Sequence, residues 1–305
     1  MPVVSIRHLT TYRYRKPVAF GEHRMMLRPL QAFDQRLLSA EVTVSPEPSL
    51  LRHIQDVSGA CVGVARFARP AEELVFESRA RVEHTPGAPF ELEASSALIG
   101  QAAFLYDEDE RTELAASIRP RHADPAVEAW ARRFLHPAGP TRVSAVLAAM
   151  THAIRADFAY SLRLLGAPQA PAETLALRQG SCRDFALLMI EAARSLGVAA
   201  RFVSGYIYSA SAKAGRTGGG HTHAWVRAYV PGCGWVDFDP TNGIVGNTDL
   251  IRVAVVADPG LALPLHGTWL GEAGDDLGMD VEVDLSVEDD VAAQPPFPLR
   301  VAQAG

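Results

Sequence analysis

Cysteine and positive charge are both scarce in this chain, and long apolar runs are missing. Only Cys61, Cys182 and Cys233 occur in 305 residues. Three cysteines cannot all pair within one chain, so a disulfide scaffold is excluded and a reducing compartment is the simplest expectation. Lys and Arg number 29 against 35 Asp and Glu, a formal net charge of −6. That balance argues against nucleic acid or an anionic membrane as the main partner. No stretch approaches the roughly 18 apolar residues of a spanning helix. The opening Met1-Pro2-Val3-Val4-Ser5-Ile6-Arg7 lacks the basic start and apolar run of a signal peptide, which gives a cytoplasmic expectation. Metal-site spacing is also absent: there is no Cys-x-x-Cys pair and no His-Glu-x-x-His helix. His221, His223, Cys182 and Cys233 have zinc-type atoms without that spacing. The glycines from 215 to 220 lack the Gly-Lys-Ser of a phosphate loop. No metal and no cofactor are expected.

What is present reads as a soluble α+β protein in four parts. Hydrophobic content of 48% and charged content of 21% are ordinary for a globular chain. Residues 1–85 read as a β-rich N-terminal domain. Ala40-Glu41-Val42-Thr43-Val44-Ser45 alternates strictly before Pro46, and Val75 to Glu83 is another candidate strand. Short strands separated by turn-rich pieces suggest a small β-sandwich-like unit. Residues 86–122, with Pro86, Gly87, Pro89 and acids from Asp107 to Glu110, read as a partly packed linker. Residues 123–256 carry helices and strands and form the candidate catalytic core. Residues 257–305 read as a C-terminal extension with one strand, from Met279 to Glu288, and a loose tail from Gln294.

Within the core, Asp124-Pro125 predicts a helix start, with Asp as N-cap and Pro in the first turn. Val143, Val146, Leu147, Met150 and Ile154 fall at helical spacing after Thr141, a candidate cap. A third helix begins at Ser181, with Ser181 and Asp184 spaced as a capping box, and ends at Gly197. Ala200 to Tyr208 reads as a strand. Residues 209–220 form a polar loop of small residues, the composition of a lid.

Cys182 therefore stands in the first turn of a helix. There the unpaired N–H groups and the dipole favour a thiolate and can stabilise an oxyanion. From His223 to Val230, Ala224, Val226, Ala228 and Val230 alternate with His223, Trp225, Arg227 and Tyr229. Pro231-Gly232-Cys233-Gly234 is a turn, and the return strand places Trp235, Asp237 and Asp239 on one face. If the small apolar residues face the core, His223 and Asp239 share the opposite face of a hairpin. A thiol gains nucleophilicity when an imidazole takes its proton and a carboxylate orients that imidazole, so Cys182, His223 and Asp239 form a candidate triad. Alternatives stay open: His221 shares the parity of His223, Asp237 shares that of Asp239, and a buried cysteine is commonly structural. Asp239 is preferred because it precedes Pro240-Thr241-Asn242-Gly243, where the chain must turn.

Four pieces resemble the transglutaminase-like superfamily of cysteine enzymes. They are Gly180 to Ala186, Leu196 to Tyr206, His223-Ala224-Trp225-Val226, and Gly234 to Asn242. Arg13 to Val18 and Leu27-Arg28-Pro29 resemble the β-rich N-terminal region of the bacterial members, the cysteine-protease-like ones. The resemblance implies a papain-like core: a helix bearing Cys182 packed on an antiparallel sheet bearing His223 and Asp239. It also implies acyl transfer at a peptide or protein amide through a thioester. Hydrolysis, by a cysteine peptidase or amidase, is the leading expectation. Transamidation, as in a protein-glutamine transglutaminase, and a catalytically silent peptide-binding module are the alternatives. Gln179 and Tyr160 are candidate second donors to the oxyanion.

Overall fold

A computed structural model describes residues 1–85, 87, 95, 97–100, 105–163, 166–208, 216–272 and 274–288. The expected tail from Gln294, and residues 209–215 of the expected lid, lie outside the described residues.

The N-terminal strands are β1 (Val3–Met25), β2 (Gln35–Ser45), β3 (Leu50–Gln55), β4 (Cys61–Arg66) and β5 (Ala71–His84), in the order β2-β5-β1-β4-β3. The alternating stretches around Val42 and Phe76 lie in β2 and β5, where Val44 pairs with Phe76. β1 is 23 residues long and serves two halves of the sheet. Its start pairs with β5, from Val3 opposite Glu83 to Arg13 opposite Glu73. Its end pairs with β4, from His23 opposite Ala65 to Met25 opposite Gly63. The sandwich-like unit is thus one antiparallel sheet curled over through β1. Tyr14, Val18, Phe20, Met25, Leu74 and Phe76 fill the curl.

Next come β6 (Leu98–Ile99), α1 (Glu108–Ile118), α2 (Pro125–Arg132), β7 (Thr141–Arg142), α3 (Val143–Asp157), β8 (Ala159–Tyr160), α4 (Pro171–Leu177), β9 (Gln179–Gly180), α5 (Cys182–Ser195), β10 (Ala200–Ile207), β11 (His223–Val230), β12 (Gly234–Asp239), β13 (Ile244–Val245) and β14 (Leu250–Val256). The core sheet is antiparallel, in the order β13-β12-β11-β10-β14. α5 packs across it through Phe185, Leu188, Met189 and Ala192, against Ala224, Val226, Ala228 and Phe238. Burying such a face is the main stabilising term, about 25 cal/mol per Å² of apolar surface. Asp124 caps α2 by accepting from Ala126 N at 2.8 Å. Beyond α5, Gly197 takes the left-handed conformation and Val198 N bonds back to Ala193 O at 3.0 Å.

Three local features differ from expectation. The 86–122 stretch read as a linker contains α1. Its charge-rich sequence shows no apolar period, and only Leu114 and Ser117 are buried. The helix is fixed instead by Asp107, which accepts from Glu110 N at 2.8 Å. Tyr106 just before it donates to Tyr229 O at 2.8 Å and accepts from Ala199 N at 2.9 Å. At α3 the cap position is Arg142, with no side-chain cap bond. Thr141 Oγ1 accepts from His136 N instead, at 2.7 Å.

Finally, the C-terminal extension holds two strands rather than one: β15 (Leu265–Leu270) and β16 (Asp276–Glu288). The short, glycine-interrupted β15 has no strand signature of its own. The open edge of β1 supplies one, with Met25 opposite Leu265 and Ala19 opposite Leu270. β16 runs along the first half of β1, from Val3 opposite Glu288 to Tyr14 opposite Asp276.

The two sheets are fastened by buried polar groups. Gln35 Nε2 donates to Arg252 O at 2.8 Å, and Arg252 N donates to Gln35 Oε1 at 2.8 Å. The Arg252 guanidinium pairs with Asp34 and also donates to Asp237 Oδ2 at 3.0 Å. Burial alone raises Asp34; the guanidinium outweighs it and holds the carboxyl below its ordinary value. His8 Nδ1 meets the Tyr206 hydroxyl at 3.0 Å, and His84 Nδ1 meets that of Tyr208 at 2.8 Å.

Candidate active site

Cys182 is the first residue of α5, and its position is set by Asp184. That buried carboxylate reaches back to Ser181, accepting from its N–H at 2.7 Å and its hydroxyl at 2.8 Å. Its other oxygen accepts from Gln169 N at 2.6 Å and pairs with Arg163. Gly180 permits this closure: a Cβ there would lie 2.8 Å from the Asp184 Cβ. The helix N-terminus is therefore held in place, with Cys182 as its first residue. Cys182 is 7% exposed.

Across from it, Phe238 pairs with Val226 and Asp237 with Arg227. This register puts Asp239 diagonal to His223 on the same face. His223 Nε2 and Asp239 Oδ2 meet at 2.9 Å, with both side chains fully buried. Asp239 Oδ1 accepts from Thr241 N at 2.9 Å, an Asx turn that locks the carboxylate where the chain reverses. Asn242 Nδ2 donates to Asp239 Oδ2 at 2.8 Å. Burial raises Asp239, but His223 and these donors prevail and the carboxyl sits below its ordinary value. Burial pulls His223 down, while the Asp239 charge and hydrogen bond, then Cys182, push it up to about 10. No formed hydrogen bond claims His223 Nδ1. That nitrogen remains for the Cys182 sulfur.

Tyr160 closes the group. The parallel bridge of β8 to β9 sets it beside Gly180. Its phenol is pushed up to about 12, first by burial and then by Cys182 and Asp239, so it is a neutral donor facing the sulfur. A turn at Thr217-Gly218 covers the imidazole. Thr217 N donates to Asn242 Oδ1 at 2.9 Å, and Asn242 Nδ2 donates back to Thr217 O at 3.1 Å. Gly218 has φ +90°, and a Cβ there would lie 2.8 Å from His223 Nδ1. Asn242 thus ties this covering turn to the carboxylate that holds the histidine.

Of the residues singled out from sequence, Cys182, His223, Asp239 and Tyr160 come together. His221 lies in the wall of the same cleft but not against Asp239. Asp237 is committed elsewhere: it accepts from Trp225 Nε1 at 2.8 Å and from Arg252. Gln179 is exposed and lines no part of the cleft. Among the described residues no group of three or more His, Cys, Asp or Glu is gathered for a metal ion. Sequence reasoning missed Asn242 and Gly218. Asn242 stands three residues after an aspartate at a turn, the spacing of a local side-chain bond. Gly218, inside a glycine run, carries no individual signal.

Helix and sheet together define a papain-like cysteine-enzyme fold. The Bacterial transglutaminase-like N-terminal region matches residues 4–83 and the Transglutaminase-like superfamily matches residues 128–240. The chain thus carries a transglutaminase-like core preceded by the N-terminal region of the bacterial proteins of that kind. It is 28% identical over 284 residues to an uncharacterized protein of Mycobacterium leprae, covering 92% of this chain and 98% of that one. To an uncharacterized protein of Mycobacterium tuberculosis it is 27% identical over 297 residues, covering 92% and 91%. The crystal structure of a "Putative Cysteine Protease" from Cytophaga hutchinsonii superposes with a TM-score of 0.71 at 19% identity, covering 97% of this chain and 94% of that one. That likeness establishes the shared fold.

Proposed function

We propose that this protein is a cysteine hydrolase of peptide or protein amides, working through a thioester on Cys182. The observation that carries the reading is the orientation of His223. Its Nε2 is held by Asp239, and its Nδ1 is left for a thiol at a helix N-terminus. His223 takes the proton of Cys182, and the imidazolium is stabilised by Asp239. The sulfur attacks the amide carbonyl. The oxyanion is met by N–H groups at the start of α5, with the Tyr160 hydroxyl as the second donor. Collapse breaks the C–N bond as His223 returns the proton to the leaving amine. Water, deprotonated by His223, then attacks the thioester and releases the carboxylic acid and the thiol. A reducing, cytoplasmic setting would keep the Cys182 thiol free for this chemistry.

The test is incubation with a glutamine-containing protein such as casein, with and without a labelled primary amine, in the native and Cys182→Ala proteins. New amino termini or released ammonia, dependent on Cys182, are expected. Incorporation of the amine in preference to hydrolysis would make the protein a transglutaminase. Neither product, with peptide binding retained, would make it a silent binding module.

A further inference from the structure

Cys182 opens into a cleft of about 630 Å³ whose far wall belongs to the N-terminal sheet and its C-terminal strands. Beyond the site, that wall includes Tyr12, Tyr14, Leu265, Trp269 and Met279. Register explains their grouping. Met279 lies directly opposite Tyr12, and Val281 opposite Thr10, so these side chains share one face. The Tyr14 and Trp269 rings pack at 5.1 Å between centroids. Further along the same face, Ile6, His8 and Val283 are buried, and His8 meets Tyr206 of the core. The apolar face that docks the N-terminal sheet to the core therefore continues past the core and runs beside Cys182.

The histidines of this wall are already engaged. His8 Nδ1 meets Tyr206 and its Nε2 meets Thr10 Oγ1 at 3.1 Å. His23 Nδ1 meets Gly21 O at 3.1 Å. The charged lining groups are Arg163, Arg183 and Asp276. Arg163 bonds to Ala167 O and pairs with Asp184, and Arg183 donates to the carbonyls of Gly166 and Arg163. Asp276 is exposed and accepts from Gly278 N at 2.8 Å. What the wall presents along Tyr12, Trp269 and Met279 is apolar surface. Cavities of this size with such linings bind by burying apolar groups.

We infer that the N-terminal sheet is the specificity wall of the site, and that the substrate is a peptide segment carrying a bulky apolar residue beside the reacting amide. The residue packs against Tyr12, Trp269 and Met279. This rests on the hydrolase reading for the words "reacting amide", while the apolar preference of the cleft is separately measurable.

The experiment uses the full chain and iodoacetamide, with alkylation of Cys182 read by peptide mass spectrometry. Two hexapeptide amides compete: one of glycine and serine with a single phenylalanine, and the same peptide with glycine in that place. The phenylalanine peptide should halve the alkylation rate at a concentration about 10- to 100-fold lower than its partner, the discrimination an apolar pocket supplies. Met279→Asp should bring the two concentrations together. Leu277→Asp, on the same strand at a residue 56% exposed and outside the cleft, should keep them apart. Equal protection by both peptides in the native protein overturns the inference, whatever the variants do. Apolar preference with Cys182 reacting no faster than Cys61 supports the cleft and overturns the thioester reading. Rapid alkylation without preference does the reverse.

Discussion

Asp239 Oδ2 is shared: His223 Nε2 reaches it at 2.9 Å and Asn242 Nδ2 at 2.8 Å. Asn242 therefore acts on the sulfur through Asp239 and His223 and through the turn it holds at Thr217, and it is a positioning residue. Its replacement by alanine removes a hydrogen bond to a charged group, worth about 1.5–3 kcal/mol. The expected outcome is a roughly 10- to 100-fold slower alkylation of Cys182 near neutral pH, with a fall of a few degrees in thermal midpoint. Asn242→Asp, which sets a second carboxylate against the first, should be the more severe. An Asn242→Ala protein that alkylates at the native rate would remove Asn242 from the account.

The pH dependence of stability carries a sign. His223 is raised from 6.5 to about 10, so its contribution is complete below 6.5 and is lost as pH rises through 10. Asp239 is lowered from 3.8, so its contribution is present above that value and is lost as pH falls through its lower folded value. The thermal midpoint should therefore decline between pH 6.5 and 10. In Asp239→Asn, which removes the charge that raises His223, that alkaline decline should flatten. An unchanged decline in the variant contradicts the assignment.

Gly218 is expected to tolerate no side chain. Its φ of +90° is strained for other residues, at about 1–3 kcal/mol, and the Cβ would crowd His223 Nδ1 at 2.8 Å. Gly218→Ala should slow Cys182 alkylation, while Gly219→Ala should not, since a Cβ there meets nothing closer than 3.6 Å. Parallel rates in the two variants would show that the turn does not set the imidazole.

Arg252→Met leaves Asp34 and Asp237 buried without their shared cation. Breaking a buried pair on one side costs about 3–5 kcal/mol. The thermal midpoint should fall by several degrees, with the loss partly recovered in Arg252→Met combined with Asp34→Asn. A neutral Arg252→Met would mean the ion cluster adds nothing to the docking of the sheets.

Much of the site was legible in the chain itself. Alternation from Ala224 to Val230 and in Val236 and Phe238 fixed which residues face the helix, and it fixed by parity that His223 and Asp239 share the other face. Ser181 and Asp184, spaced as a cap, placed Cys182 at a helix start. The choice of Asp239 over Asp237 rested on the following turn, and the structure supplies the reason: Asp237 is consumed by Trp225 and Arg252. What stayed hidden depends on partners remote in sequence. β15 exists because β1 offers an edge, and Arg252 is buried in a strand because Asp34 meets it from 218 residues away. α1 is held by capping and two tyrosine bonds instead of an apolar stripe. The cleft wall needed the curl of β1 and the return of β16, neither of which a local pattern encodes.

The central claim is that His223 activates Cys182, and the pH profile of iodoacetamide alkylation tests it most directly. Cys61, whose thiol is pushed up by burial, is the internal control in the same tube. Rapid labelling of Cys182 at neutral pH is expected, falling to the slow, alkaline labelling of an ordinary thiol in His223→Ala, near pH 8.5 or above as a rough figure. Labelling of Cys182 that tracks Cys61 across the range, or that is unaffected by His223→Ala, contradicts the account.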